Sequence, residues 1–296
     1  MRCHRGGAVR PGSGPDRRGS GERSARVNLT VGIDLGSSYT KAAVVDENGF
    51  IESSYIRKTG FHFVKAAEES LEAALEQAGL TRDGIGYIAT TGFGRYATPD
   101  LSDLAITELT CHAYAAHFWM PEVRTILDVG GQTVKALRVD ELGRVTAFRL
   151  NDKCAAGAGA FLQKTLEYLG HDISELAELS AGGTDPVTVS SVCTVFAESE
   201  IINHLADDRS IEDVCAGAVI ALTGRAAQLV KRVKAEPPFG LTGGLASVNL
   251  LSERLSEDLG SPFQVPPDGL GVYAGAYGAA LLAHQRLRKR LEQVSA

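Results

Sequence analysis

Apolar residues in this chain follow two patterns, one typical of strands and one typical of helices. Short β-rich runs, LTVGID and RTILDVG, have an aspartate at or near their end, and after a glycine turn a second apolar run follows, TKAAVVD or VKALRVD. Other segments carry apolar residues at every third or fourth position and stop at glycine, as FVKAAEESLEAALEQAGL and AGAFLQKTLEYLG do. These patterns predict an α/β fold with mixed sheets flanked by helices.

The strand pattern occurs twice in the chain. DLGSSYTKAAVVDENGFI, which starts at Asp34, aligns without gaps with DVGGQTVKALRVDELGRV, which starts 94 residues later at Asp128, and eight of the 18 positions are identical. Internal similarity of this kind indicates a duplicated structural unit. We therefore predict two related domains, one of residues 27–122 with 272–296 and one of residues 123–271, with a nucleotide cleft between them.

Each repeat places a glycine turn directly after its aspartate, and this arrangement suits a phosphate group. Backbone N–H groups of such a turn can cradle phosphate because no side chain blocks the approach. Mg²⁺ prefers oxygen ligands, so Asp34 and Asp128 are predicted to hold it directly or through water. A glycine in a hairpin is usually structural, but the duplication favours a phosphate site. The predicted nucleotide-binding residues are Gly36, Ser37, Ser38, Lys41, Gly130 and Gly131, and Gln132 is predicted to orient the attacking water.

A third glycine cluster lies in FGLTGGLASVNLL. Gly243 and Gly244 are predicted to open a helix whose N-terminus approaches adenosine or phosphate, because the first N–H groups of a helix favour anions. Tight packing of that helix is the alternative interpretation.

Composition and charge narrow the class of protein. The chain has 296 residues, 44% of them apolar, and its net charge is −6. Residues 1–26 carry seven Arg, one Asp and one Glu, which leaves +5 on this arm and −11 on the remainder. An acidic body and the lack of a long apolar run argue against nucleic-acid and membrane partners. The arm is predicted to be disordered, either as an over-extended start before Val27 or as a transit peptide or nucleic-acid tail.

Five cysteines without a secretory signal indicate a reducing, cytoplasmic location. Cys111 and Cys215 occur in helical apolar patterns and are predicted to be small core residues. Cys154 and Cys193 instead stand just before predicted helices. Three interpretations of this second pair stay open: ligands of an iron–sulfur cluster, ligands of a shared zinc ion, or buried core residues.

Seven segments occur here in an order that resembles a known family. They are VGIDLGSSYTK, TTGFGRY, ITELTCHA, LDVGGQTVK, NDKCAAGAGAFL, SSVCTVFAESEIINHL and TGG. Together they resemble the activators of 2-hydroxyacyl-CoA dehydratases and the ATP-binding subunits of benzoyl-CoA reductases, within the sugar kinase, heat-shock ATPase and actin superfamily. The resemblance covers roughly Leu29 to Ala283 and implies two actin-like or sugar-kinase-like ATPase domains. One departure is Thr133, because the family usually has aspartate after Gly-Gly-Gln.

The resemblance implies an ATPase that donates low-potential electrons. In that family two subunits share one [4Fe–4S] cluster, and carried over to this chain its ligands are Cys154 and Cys193. An isologous dimer interface would present each cysteine twice and so complete four thiolates. The implied partners are a second copy or a related ATPase subunit, a ferredoxin or flavodoxin donor, and an iron–sulfur reductase or dehydratase that acts on a CoA thioester.

Two other classes of function stay open from the sequence. The same superfamily contains small-molecule kinases, in which an aspartate acts as a general base, and Asp100 or Asp103 in TPDLSDLAITEL could serve. A nucleotide-binding scaffold without catalysis is the other alternative. His112 and Arg95 are ambiguous: the first could bind a metal or lie in the core, and the second could contact phosphate or close a loop.

Overall fold

The computed structural model describes residues 28–151, 158–189 and 194–294. The arm of residues 1–26, Cys154 and Cys193 therefore lie outside the described residues.

The described residues form ten strands and eight α-helices, in an order that alternates hairpins with helices. The strands are β1 (Leu29–Leu35), β2 (Tyr39–Val45), β3 (Ile51–Lys58), β4 (Ile85–Thr91), β5 (Leu104–Ala105), β6 (Thr125–Val129), β7 (Val134–Val139), β8 (Val145–Asn151), β9 (Phe239–Gly243) and β10 (Phe263–Gln264). The helices are α1 (Phe63–Ala78), α2 (Glu108–Trp119), α3 (Gly159–Leu169), α4 (Leu176–Gly182), α5 (Thr194–Ala206), α6 (Ile211–Arg232), α7 (Asn249–Leu259) and α8 (Ala274–Val294).

The chain divides into two compact units. Unit 1 is described over residues 28–115 and 273–294, and unit 2 lies within Ala116–Val272.

Unit 1 contains a mixed five-stranded sheet in the order β3-β2-β1-β4-β5. Strand β1 pairs antiparallel with β2 and parallel with β4. All seven residues of β1 are buried, because helices cover both of its faces. On one face Ile33 and Leu35 join a cluster with Ala67 and Leu71 of α1, and α1 stops at Gly79 as its sequence predicts.

Helix α8 packs closely on β1, as the small residues near its start suggest. A Cβ atom on Gly32 of β1 would lie 1.9 Å from the carbonyl oxygen of Ala276, so this contact requires glycine. The hydroxyl of Thr30 donates to the carbonyl oxygen of Ala280 at 2.9 Å. Gly278 makes an equally close contact with the backbone of Cys111. The C-terminal helix is therefore an integral layer of unit 1.

Unit 2 repeats this sheet in the order β10-β9-β6-β7-β8. Asp34 pairs with Lys41 across β1 and β2, and Asp128 pairs with Lys135 across β6 and β7. Even the irregularity in the second hairpin recurs, after Val44 in unit 1 and 94 residues later in unit 2. The prediction of a duplicated α/β fold with two mixed sheets flanked by helices is confirmed.

Helix α6 is the central helix of unit 2. Its first turn is capped by Ser210, whose hydroxyl accepts the N–H of Asp213 at 3.1 Å. Although α6 is long and apolar enough to cross a membrane, 67% of its most apolar window is buried inside the protein, as in a core helix. Cys215 of α6 and Cys111 of α2 are both fully buried, so their prediction as core residues is confirmed.

Candidate nucleotide and phosphate site

Asp34 is the candidate metal ligand of unit 1, and it lies near the end of the buried strand β1. Its neighbour across the hairpin is Lys41, and Lys41 Nζ donates to Asp34 Oδ2 at 3.0 Å. The Asp34 side chain is 9% exposed and that of Lys41 is 16% exposed, so the ion pair retains some contact with solvent. Because the pair is partly exposed, Lys41 can offer its positive charge to a nucleotide phosphate, and Asp34 can offer its carboxylate to a metal ion.

Thr59 holds the turn after Asp34 through two hydrogen bonds to backbone carbonyl oxygens of the turn. The hydroxyl of Thr59 donates to the carbonyl oxygen of Gly36 at 2.7 Å, and the N–H of Thr59 donates to the carbonyl oxygen of Ser38 at 3.0 Å. A Cβ on Gly36 would lie 2.7 Å from the carbonyl oxygen of Tyr39, so the turn is as tight as the sequence suggests. Ser37 at its tip is exposed.

Asp128 occupies the equivalent position in unit 2, but its surroundings are drier. Lys135 Nζ donates to Asp128 Oδ2 at 2.7 Å, and the side chains are only 4% and 2% exposed. In the turn that follows, the N–H of Gly130 donates to the carbonyl oxygen of Thr133 at 3.0 Å, and Gln132 is exposed. The two repeats thus share geometry and differ in how far water reaches their ion pairs.

Gly92 and Gly243 are functional candidates with matching positions in the two units. Each follows a threonine at the end of the parallel strand beside the aspartate, and each has a positive φ, 87° and 97°. A Cβ atom would lie 2.5 Å from Asp34 Oδ1 in the first case and 2.6 Å from Asp128 Oδ1 in the second. Any side chain at either position would clash with the carboxylate, so both positions require glycine.

Sequence reasoning missed Gly92 and placed Gly243 wrongly. The Thr-Gly pairs Thr91–Gly92 and Thr242–Gly243 signal the equivalence, but an ungapped shift of 94 residues does not align them. The prediction that Gly243 and Gly244 open a helix is wrong, because Gly243 ends β9 and α7 begins only at Asn249. The positive φ of Gly243 turns the chain beside the carboxylate, and Gly244 lies exposed in the turn that follows.

A second glycine borders Asp34 from α8. A Cβ on Gly275 would lie 2.9 Å from Asp34 Oδ2 and 3.2 Å from His112 Nε2. Glycines on two elements thus approach this carboxylate closely, and neither position can carry a side chain without a clash. Among the described residues, no group of three or more His, Cys, Asp or Glu side chains could hold a metal ion.

Asp103 and Arg95, two residues whose roles the sequence leaves open, have structural partners. Asp103 Oδ2 accepts the N–H of Ile88 at 2.9 Å, so this candidate kinase base serves to fix a strand. Arg95 donates to the carbonyl oxygen of Gly92 at 3.1 Å, and its guanidinium lies 4.5 Å from the ring centre of Tyr96, which favours its loop-closing role. Burial also raises the pKa of the Cys111 thiol to about 12, which agrees with its position as a core residue.

The proposed cluster ligands Cys154 and Cys193 lie outside the described residues, but the helices that follow them are described. Helix α5 begins at Thr194, immediately after Cys193. Helix α3 begins at Gly159, five positions after Cys154, and its N-cap Ala158 is extended.

Comparison with known proteins places these features in a family. Residues 31–283 match the BadF/BadG/BcrA/BcrD ATPase family. The 2-hydroxyisocaproyl-CoA dehydratase activator of Clostridioides difficile is 36% identical over 265 residues, which are 90% of this chain and 98% of that protein. Its structure with bound ADPNP has a TM-score of 0.84 and covers 90% of this chain and 97% of that chain.

Two further proteins show the difference between a relative of the same family and a protein that shares only the fold. A benzoyl-CoA reductase subunit of Thauera aromatica is 33% identical over 281 residues, 90% of this chain and 98% of that protein. A ROK family glucokinase from Streptomyces griseus, solved with glucose and AMPPNP, has a TM-score of 0.54 over 87% of this chain and 99% of that chain. At 15% identity the glucokinase shows a shared fold alone, so the kinase alternative is not favoured. The chain therefore belongs to the BadF/BadG/BcrA/BcrD ATPase family.

Proposed function

We propose that this protein hydrolyses ATP to drive low-potential electrons from an iron–sulfur cluster into a partner enzyme that acts on a CoA thioester. The observation that carries the proposal is the pair of aspartate–glycine sites in a chain 36% identical to a dehydratase activator solved with ADPNP. The relatives named above are an activator and a reductase subunit, which favours an auxiliary role for this chain beside a second enzyme.

The nucleotide is proposed to bind through the two glycine turns and the loop after β9. Backbone N–H groups of the turns would bind phosphate oxygens, and Lys41, which keeps solvent contact, would add a positive charge. The proposed ligands in unit 1 are Gly36, Ser37, Ser38 and Lys41, and those in unit 2 are Gly130, Gly131, Gly243 and Gly244.

The catalytic residues are proposed to be two carboxylates and one amide. Asp34 and Asp128 would hold Mg²⁺ directly or through water, and Gly92, Gly275 and Gly243 keep side chains away from these carboxylates. Gln132 is exposed on the second turn and can orient a water molecule toward a phosphate bound there. Thr133, where the family usually has aspartate, supplies no carboxylate.

Cys154 and Cys193 are proposed to bind a [4Fe–4S] cluster, with two subunits contributing two thiolates each. The cluster would supply one-electron transfer when bound. The second subunit is a copy of this chain or a related ATPase subunit, and a ferredoxin or flavodoxin is the proposed donor. Buried thiols at Cys111 and Cys215 are consistent with the proposed reducing, cytoplasmic location.

The domain boundaries stay as proposed from the sequence: a disordered arm of residues 1–26, then residues 27–122 with 272–296, and residues 123–271. The arm is not needed for the proposed chemistry, because the family match starts at residue 31. A protein that starts at Val27 should therefore hydrolyse ATP at the full-length rate.

The proposed function is tested by anaerobic purification with iron and sulfide analysis, absorption spectra and an ATPase assay. Wild type should contain about four irons per dimer, and Cys154→Ser and Cys193→Ser should lose them. Cys215→Ser is the matched control, because Cys215 is buried in α6 away from any proposed ligand role. Wild-type protein that stays colourless and free of iron after reconstitution would contradict the proposal, and phosphorylation of a small acceptor would then point to a kinase.

A further inference from the structure

We infer that the first turn of α3 holds the glycine turn of unit 2, residues 130–133, in position, and that Gly159 is the positioning residue that permits this contact. The inference deepens the proposed function and rests on it, because the turn matters only if it binds a nucleotide.

Two backbone hydrogen bonds join the helix to the turn. The N–H of Gly159 donates to the carbonyl oxygen of Gly130 at 2.9 Å, and the N–H of Ala160 donates to the carbonyl oxygen of Gly131 at 2.7 Å. The first N–H groups of a helix have no partner within the helix, and a Ser, Thr, Asp or Asn side chain usually accepts one of them. Here the N-cap is Ala158, which makes no such side-chain bond. The turn carbonyls therefore cap α3.

Gly159 allows this approach because it has no side chain. A Cβ atom there would lie 3.2 Å from the Gly130 carbonyl oxygen and 3.6 Å from Gly131 Cα. It would also lie 3.6 Å from Leu245 Cδ1, in the loop that follows β9. The start of α3 thus contacts both loops of unit 2 that are proposed to bind nucleotide.

The contact distinguishes unit 2 from unit 1. In unit 1 the equivalent carbonyl, that of Gly36, accepts from the Thr59 side chain at the end of the hairpin. In unit 2 the turn is bonded to a helix that begins five positions after Cys154. A displacement of the turn on binding or loss of a phosphate would therefore act on the start of α3.

Hydrogen exchange of the wild-type protein tests the contact without any variant. Full-length protein, purified anaerobically, is compared with and without ADPNP, and the amides of Gly159 and Ala160 are followed in peptides from the start of α3. Because these amides bond the turn, nucleotide binding should slow their exchange, while amides in the middle of α6 should exchange equally in both states.

Two variants then test the positioning role. Gly159→Ala adds the methyl group that crowds Gly130, and Ala160→Pro removes the N–H that bonds Gly131, at a helix position where proline is tolerated. Each should weaken ADPNP binding and raise the KM for ATP about tenfold, since displacement by a few tenths of an ångström misaligns the turn. The matched control is Gly224→Ala in α6, where a Cβ meets no atom within 4 Å, so binding should not change.

The outcomes separate this inference from the function on which it rests. Slower exchange at the start of α3 with ADPNP, with weakened binding in both variants and not in the control, would support it. Wild-type protein that binds ADPNP with unchanged exchange there, or folded variants that bind it as wild type does, would overturn the inference alone. Wild-type protein that does not bind ADPNP would overturn the proposed function and the inference together.

Discussion

Replacement of Lys135 by methionine should destabilise the protein more than the same replacement of Lys41, although the two lysines occupy equivalent positions in the duplicated sheets. Both contact an aspartate one strand away, at 2.7 Å for Lys135 and 3.0 Å for Lys41. Methionine keeps much of the volume of lysine and removes the charge, so the change isolates the ion pair from packing.

The expected difference follows from burial. The side chains of Lys135 and Asp128 are 4% and 2% exposed, so the substitution leaves a carboxylate charge in a dry site, which costs about 3–5 kcal/mol. Lys41 and Asp34 are 16% and 9% exposed, so water screens part of the lost interaction and the cost should fall to about 1–2 kcal/mol. At about 2–4 °C per kcal/mol, the melting temperature of Lys135→Met should fall on the order of 10 °C.

Thermal unfolding without nucleotide, followed by circular dichroism, measures this difference. The double variant Asp128→Asn/Lys135→Met is the control, because removal of both charges should recover part of the loss. Equal melting temperatures for Lys135→Met and Lys41→Met, or a double variant less stable than Lys135→Met, would refute the argument from burial.

Three further predictions concern single residues. Gly243→Ala forces a methyl group into a positive-φ position beside a carboxylate and should lower stability by about 1–3 kcal/mol, whereas Gly224→Ala should not; equal unfolding midpoints in urea would contradict this. Gln132→Ala should lower kcat for ATP hydrolysis about 100-fold with a smaller change in KM, and an unchanged kcat would remove its proposed role. Burial raises the thiol pKa values of Cys111 and Cys215 to about 12 and about 11, so at pH 8 their thiolate fractions should be about 10⁻⁴ and 10⁻³; rapid alkylation of either in the folded protein, read by mass spectrometry, would show that its surroundings are wetter than the structure indicates.

The strands, hairpins and amphipathic helices were predictable from the sequence because their signals are local. Alternating apolar residues, turn glycines and a repeat at 94 residues suffice to predict two related sheets. The same local signals place Asp34 and Asp128 at strand ends, where the structure has them.

The missed features depend on contacts between segments far apart in the chain. Gly92 and Gly243 are important because a parallel strand brings each beside an aspartate. The local sequence does not predict which strands pair in this way. The helix predicted at Gly243 failed because its glycine ends a strand. The sequence could not predict that backbone carbonyls cap α3, because AGAGAF contains no side chain that caps a helix.

We propose further that nucleotide binding shifts the midpoint potential of the cluster, and the potential of the anaerobically purified dimer tests this most directly. The potential is measured with and without saturating ADPNP. About 60 mV corresponds to about 1.4 kcal/mol for one electron, so a rearrangement biased by about 5 kcal/mol would shift the potential by about 200 mV. A shift of this order that Cys154→Ser abolishes together with the iron is the predicted result, and an unchanged potential with nucleotide bound would contradict the proposal.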